Sequence, residues 1–101
     1  MKNLTLIVNA NVQQAVTDHL RQLDITEFTL SPVEGHGSYS AGDAFISARD
    51  RVVGFVPRVR VDIVLESERL ATVLERLREP DTGFAGHGIF WVSPVEQHDS
   101  F

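Results

Sequence analysis

Cysteine is absent, and the single methionine stands at position 1. No disulfide framework, thiolate metal site or cysteine nucleophile can therefore be built from this chain. A copper(I) carrier, which relies on soft sulfur ligands, is disfavoured on the same ground. Basic residues are scarce as well, 9 against 14 acidic, giving a formal charge of −5. A nucleic-acid surface needs the opposite balance, so no nucleic-acid partner is expected. Long apolar runs are missing at the start of the chain, where Leu4-Thr5-Leu6-Ile7-Val8 is the whole of the first stretch. That is too short for a secretory core or a membrane span, so no direct membrane insertion is expected and the expected location is cytoplasmic. What remains is an ordinary globular composition, 43% apolar and 23% charged over 101 residues, read as a single domain over 1–101.

One segment occurs twice. Ser31-Pro32-Val33-Glu34-Gly35-His36-Gly37 returns as Ser93-Pro94-Val95-Glu96-Gln97-His98-Asp99, with five of seven positions identical. Each copy closes an apolar run, which points to one supersecondary unit used twice.

The pattern along the chain agrees with this. Leu4 to Val8 reads as a buried strand, with Asn11 as the candidate cap of the helix that follows. Val12, Ala15, Val16, His19, Leu20 and Leu23 form one stripe at helical spacing. In this stripe His19 reads as a packed histidine. Ile25 to Val33 is the second strand. Val59, Val61, Ile63 and Leu65 alternate with Arg58, Arg60 and Asp62, the period of a strand with one buried face. Ser67 is the candidate cap of a second helix with the stripe Leu70, Val73, Leu74 and Leu77. Pro80 ends it, Asp81-Thr82-Gly83 turns the chain, and Ile89 to Val92 is the last strand. Strand–helix–strand, twice, predicts an α+β fold. It is the ferredoxin-like split βαβ sandwich (βαββαβ), with an antiparallel sheet whose second and fourth strands lie at the edges. Pro32 and Pro94 fit edge positions, since proline lacks a ladder donor.

The halves differ in one respect. Between strands 2 and 3 the connection 35–56 is far longer than a hairpin needs, and it carries Tyr39, Phe45, Ile46, Val52, Val53 and Phe55. Too apolar for a passive linker, it reads as an arm that orders on a ligand or partner. Residues 97–101 read as a C-terminal tail.

These features resemble the PII signal-transduction superfamily over nearly the whole chain. Gly35-His36-Gly37 opens the long loop and Phe55-Val56-Pro57-Arg58-Val59-Arg60-Val61 closes it, where typical members have a similar Phe-Leu-Pro-Lys run. Thr82-Gly83-Phe84-Ala85-Gly86-His87-Gly88-Ile89-Phe90 is similar to the family's second glycine loop, and Ser93-Pro94-Val95-Glu96 to the end of its fourth strand. The resemblance implies a homotrimer that binds a small ligand between subunits and signals to a protein target through the long loop. It implies a ligand site at Gly35, His36, Gly37, Tyr39, Arg58, Gly83, Gly86, His87 and Gly88. Phe45, Ile46, Arg49 and Arg51 fall on the implied partner-docking loop.

Departures from the typical pattern are equally specific. His87 stands where typical members carry aspartate, Ile89 where they carry a phosphate-contacting lysine, and Tyr39 where a glutamine helps bind magnesium and 2-oxoglutarate. Ile46 aligns with the tyrosine that others uridylylate, and the C-terminal arginines have no counterpart in Gln97-His98-Asp99-Ser100-Phe101. Losing those cations removes the charge-assisted hydrogen bonds of a phosphate site, so the residues of the ATP and 2-oxoglutarate site are largely gone. The chain is more similar to a divergent PII-like group, some of whose members are encoded beside heavy-metal efflux systems. Two ligand classes follow, an adenine nucleotide or a divalent metal. His36 and His87, each between two glycines, are the candidate metal ligands, with Asp43, Asp81, Glu34 or Glu96 to complete the set. The target implied is a protein, such as a membrane transporter or efflux component. The alternative is a tolerance protein that binds divalent metal directly. No nucleophile and base placed together are recognisable, so the chain reads as a regulator and not an enzyme.

Overall fold

A computed structural model describes residues 1–36, 56–84 and 86–101. The expected order is present: β1 (Lys2–Asn9), α1 (Gln13–Gln22), β2 (Thr29–Gly35), β3 (Val56–Leu65), α2 (Ser67–Leu77) and β4 (Gly88–Pro94). Short 3-10 turns at Ala10–Val12 and Pro80–Thr82 lead into α1 and follow α2. The four strands form one antiparallel sheet in the order β2-β3-β1-β4. This is the ferredoxin-like sandwich, with β2 and β4 at the edges.

Period-two patterning decides which side is buried. In the ladders Leu4 lies opposite Ile63, Leu6 opposite Val61 and Val8 opposite Val59. These side chains point to the face that carries the helices, where Val16 and Leu20 of α1 and Val73 and Leu77 of α2 close the core. Leu4, Val16, Leu20, Val61 and Ile63 are fully buried. At roughly 1.5–3 kcal/mol for each such side chain, this layer is the main favourable term of folding.

Helix ends depart from the sequence expectation. Asn11 does not cap α1: it lies within the 3-10 turn, and the residue flanking the helix is Val12, with no side-chain cap bond. Ser67 is the first residue of α2 and not its cap, a position held by Glu66 with extended backbone and no side-chain cap bond. The strong terminus is the other end of α1. Asp24 adopts φ 59°, its N–H donates to the Arg21 carbonyl at 3.0 Å, and the Ile25 N–H reaches back to the Leu20 carbonyl at 2.9 Å. That is a Schellman closure, accompanied by burial of both Leu20 and Ile25. It consumes Ile25, so the second strand begins at Thr29 and not at Ile25.

The repeated segment also divides differently from expectation. In the first copy β2 runs on through Pro32 to Gly35, whereas in the second β4 ends at Pro94. Both prolines sit on edge strands, Pro32 opposite Val59 and Pro94 opposite Lys2.

Candidate ligand site

The ladders place distant parts of the sequence side by side at the end of the sheet where β1 finishes. Asn9 lies opposite Arg58, Val33 opposite Arg58 on its other side, and Gly35 opposite Val56. Across β4, Val8 faces Gly88, and the Asn9 N–H donates to the His87 carbonyl at 2.7 Å. Both anchors of the long connection and the second glycine loop therefore share one end of the sheet.

Two glycines have a close neighbour, a movable side chain at Gly35 and fixed backbone at Gly88. A Cβ at Gly35 would collide with the Arg58 side chain at Nε and Cδ, so glycine lets that side chain lie against the end of β2. A Cβ at Gly88 would strike the Ile7 carbonyl oxygen and crowd Val8. Gly83 and Gly86 serve the backbone instead, at φ 80° and 77°. The turn between them closes with the His87 N–H donating to the Phe84 carbonyl at 2.9 Å.

His87 is buried, 7% exposed, with its Nδ1 3.4 Å from the Asn9 side-chain nitrogen. Which of the two groups donates depends on the imidazole tautomer. The Asn9 Oδ1 is buried with no hydrogen-bond partner, an orphaned acceptor beside the site. His36 contrasts with it: its Nε2 lies 3.2 Å from Glu34 Oε2, and both side chains are 65% exposed. Such a solvated pair contributes little.

His36 follows the β2 edge and His87 precedes β4 at the opposite edge. Three strand spacings, about 14 Å, separate the two edges. Within one subunit the sheet therefore holds the two histidines apart. Among the described residues no group of three or more His, Asp or Glu gathers into a metal-binding cluster. Gly37, Tyr39, Phe45, Ile46, Arg49 and Arg51, with the candidate completing ligand Asp43, lie outside the described residues.

His19 lies as expected against the core, its ring edge-on to Phe84 at 5.5 Å and its Nδ1 3.3 Å from Arg76 Nη2. Arg76 also holds Asp81 at 2.9 Å and Glu79 at 3.1 Å. The Arg76 guanidinium keeps the Asp81 carboxyl below the usual carboxylate range.

A polar network that sequence reasoning missed occupies the sheet face turned away from the helices. Arg60 Nε donates to Asp62 Oδ2 at 2.8 Å, and Thr5 Oγ1 donates to Asp62 Oδ1 at 2.8 Å. Asn3 Nδ2 reaches the same oxygen at 3.4 Å, and the Arg60 guanidinium lies 5.8 Å from the Trp91 ring centroid. The Arg60 hydrogen bond lowers the Asp62 pKa, with help from Thr5 and Asn3 and partial opposition from burial. The only available signal was the alternation of Arg60 and Asp62 with the core valines. Nothing local announced that Thr5 would lie opposite Asp62.

This fold, with its long β2–β3 connection and a glycine loop at the same end of the sheet, defines a PII-type domain. A family model described as "Protein of unknown function (DUF3240)" matches residues 1–100. A "Nitrogen regulatory protein P-II 1" of Methanothermobacter thermautotrophicus is 30% identical over 96 residues, covering 94% of this chain and 84% of the relative. A "Nitrogen regulatory protein P-II" of Rhizobium meliloti is 29% identical over 98 residues, and one of Azospirillum brasilense 26% over 98. Each of these two alignments covers 96% of this chain and 88% of the relative. The chain belongs to the DUF3240 family and, through these relatives, to the PII-like superfamily. No described helix is long and apolar enough to cross a membrane.

Proposed function

We propose that this protein is a cytoplasmic PII-like regulator. It assembles as a homotrimer, binds a small ligand at the cleft between subunits, and signals to a protein target through the connection 35–56. The observation that carries this reading is the juxtaposition of Gly35, Val56, Arg58, Asn9, His87 and Gly88 at one end of the sheet. A ligand touching Arg58 or the glycine loop there contacts the roots of the connection. It shifts the conformations of that connection by as much as its affinity for them differs.

Arg58 supplies a fork for an anionic group, and the glycine-rich turn supplies backbone amides. The orphaned Asn9 Oδ1 is an acceptor for a donor on the same ligand. An adenine nucleotide presents both kinds of group. A divalent metal is the other ligand class, held by His36 of one subunit and His87 of another and linking the protein to metal homeostasis. The target is a protein, such as a transporter or efflux component.

The deciding experiment is the melting temperature of metal-free protein against ATP, ADP, AMP, cyclic nucleotides and divalent metals. A ligand at 100 times its dissociation constant adds about 2.7 kcal/mol of stability, several degrees for a domain of this size. A nucleotide shift abolished by Arg58→Ala supports the nucleotide reading. A shift with divalent metals alone, lost in His36→Ala and His87→Ala, supports the metal reading. A flat panel overturns the ligand-sensing function.

A further inference from the structure

The helix-bearing face of the sheet is incompletely covered. Across β1 and β4, Leu6 lies opposite Phe90 and Val8 opposite Gly88. Although these residues face the helices, Phe90 remains 40% exposed. A cavity of about 360 Å³ opens there, walled chiefly by Leu6, Val8, Leu74, Leu77, Phe84 and Phe90. Small-molecule sites run from about 300 to 1,000 Å³ and are predominantly apolar, with few polar groups to orient the ligand. The cavity shares Gly86 and Gly88 with the candidate site above, but it opens on the opposite side of the sheet from the Asn9 and Arg58 side chains.

One cation stands at its rim. Arg78 caps the C-terminal end of α2, lines the cavity, and holds its guanidinium 5.7 Å from the Phe90 ring centroid. The acidic side chains next to it in sequence are engaged elsewhere, since Glu79 and Asp81 both bind Arg76. Among the described residues no carboxylate pairs with Arg78. The carbonyl end of α2 on this rim repels anions, so among the lining side chains the attraction for negative charge resides in Arg78.

We infer that this cavity binds a small amphiphilic carboxylate, with its hydrocarbon or aromatic body against the leucine and phenylalanine walls and its headgroup on Arg78. A planar carboxylate matches the fork of a guanidinium. A single arginine also neutralises a single charge, whereas a phosphate monoester carries about −1.5 to −2 at neutral pH and would be left partly uncompensated. Desolvating the aromatic wall under the guanidinium strengthens the cation's contact with Phe90 as the ligand enters.

The test uses the full chain with two matched probes, 2-naphthoate and its neutral amide. Binding is measured by calorimetry and by methyl shifts of Leu74 and Leu77. The carboxylate is expected to bind on the order of tenfold or more tighter than the amide, the size of a hydrogen bond to a charged group. Arg78→Gln should bring the carboxylate down to the level of the amide and leave the amide unchanged. Leu74→Trp, which fills the cavity, should abolish both. Equal affinity for the two probes overturns the inference, as does a charge preference that survives Arg78→Gln. So do methyl shifts that bypass Leu74 and Leu77, and failure of both probes to bind. Self-association that Leu74→Glu removes, without probe binding, would instead assign the cavity to a second copy of the chain.

Discussion

At the scale of single residues, Gly88 and Thr5 carry consequences out of proportion to their size. Gly88 sits so close to the neighbouring strand that any Cβ meets the Ile7 carbonyl oxygen. Gly88→Ala should therefore cost about 1–3 kcal/mol by displacing backbone, read as a fall in the urea midpoint. Gly83→Ala meets no atom within 4 Å and should cost only the left-handed backbone term of about 1–2 kcal/mol. Thr5 is fully buried although it lies on the face away from the helices, because Asp62 and Trp91 flank it. Thr5→Val keeps the shape and deletes a donor to a carboxylate, so a loss of about 1–3 kcal/mol is expected in denaturant titration. The Asp62 pKa is lowered chiefly by Arg60. Its ionised form thus stabilises the fold above the unfolded-chain value of about 3.9, and that stabilisation disappears as pH falls through the lower folded value. Asp62→Asn should flatten the acid limb of the stability curve below roughly pH 4, measured by urea midpoints across that range.

At the scale of elements, the two helices end differently. The closure of α1 places Asp24 in a left-handed conformation that glycine adopts without a Cβ penalty. Asp24→Gly should raise stability by about 0.5–1 kcal/mol, seen as a higher melting temperature with unchanged secondary structure. An unchanged or lower melting temperature would mean that the aspartate side chain compensates for its backbone. α2 is tied at its C-terminal end by Arg76, which reaches Glu79, Asp81 and His19. That junction joins both helices to the turn leading into the glycine loop, so the loop entering the candidate ligand site springs from a braced base. The edge strands are less protected: Ile89 is 63% exposed and Trp91 41% exposed on β4.

At the scale of the whole molecule, the sheet has one face largely covered by the helices and one open face. The open face combines Trp91, Ile89 and Val64 with the Arg60–Asp62–Thr5 network, an apolar rim around a hydrogen-bonded polar centre. In the proposed homotrimer this is the face that packs between subunits. Trp91→Glu should reduce the sedimenting mass from trimer to monomer while leaving the circular dichroism of the subunit intact. A Trp91→Glu protein that stays trimeric would assign the interface elsewhere. Removing the tip of the connection 35–56 should leave both mass and ligand shift unchanged and abolish capture of a target. Capture that persists without the tip would exclude loop signalling.

The order of elements was legible because each depends on local pattern. The alternation from Val59 to Leu65 and the helical stripes of Leu20 and Leu77 need no distant partner to be recognised. Edge placement of Pro32 and Pro94 followed from the missing N–H, and the glycines around His36 and His87 marked tight backbone before any contact was known. Cap positions were misjudged at Asn11 and Ser67 because several polar residues near a helix start compete, and one residue of offset changes the role. Only the tertiary structure decided the register in which the strands pair, and hence that Asn9 lies between Arg58 and His87, that Thr5 meets Asp62, and that Arg78 stands over Phe90. The physical reason is reach. Periodicity and backbone chemistry act over a few residues, whereas these contacts join positions tens of residues apart, which become neighbours only when the core closes and sets the register of the sheet.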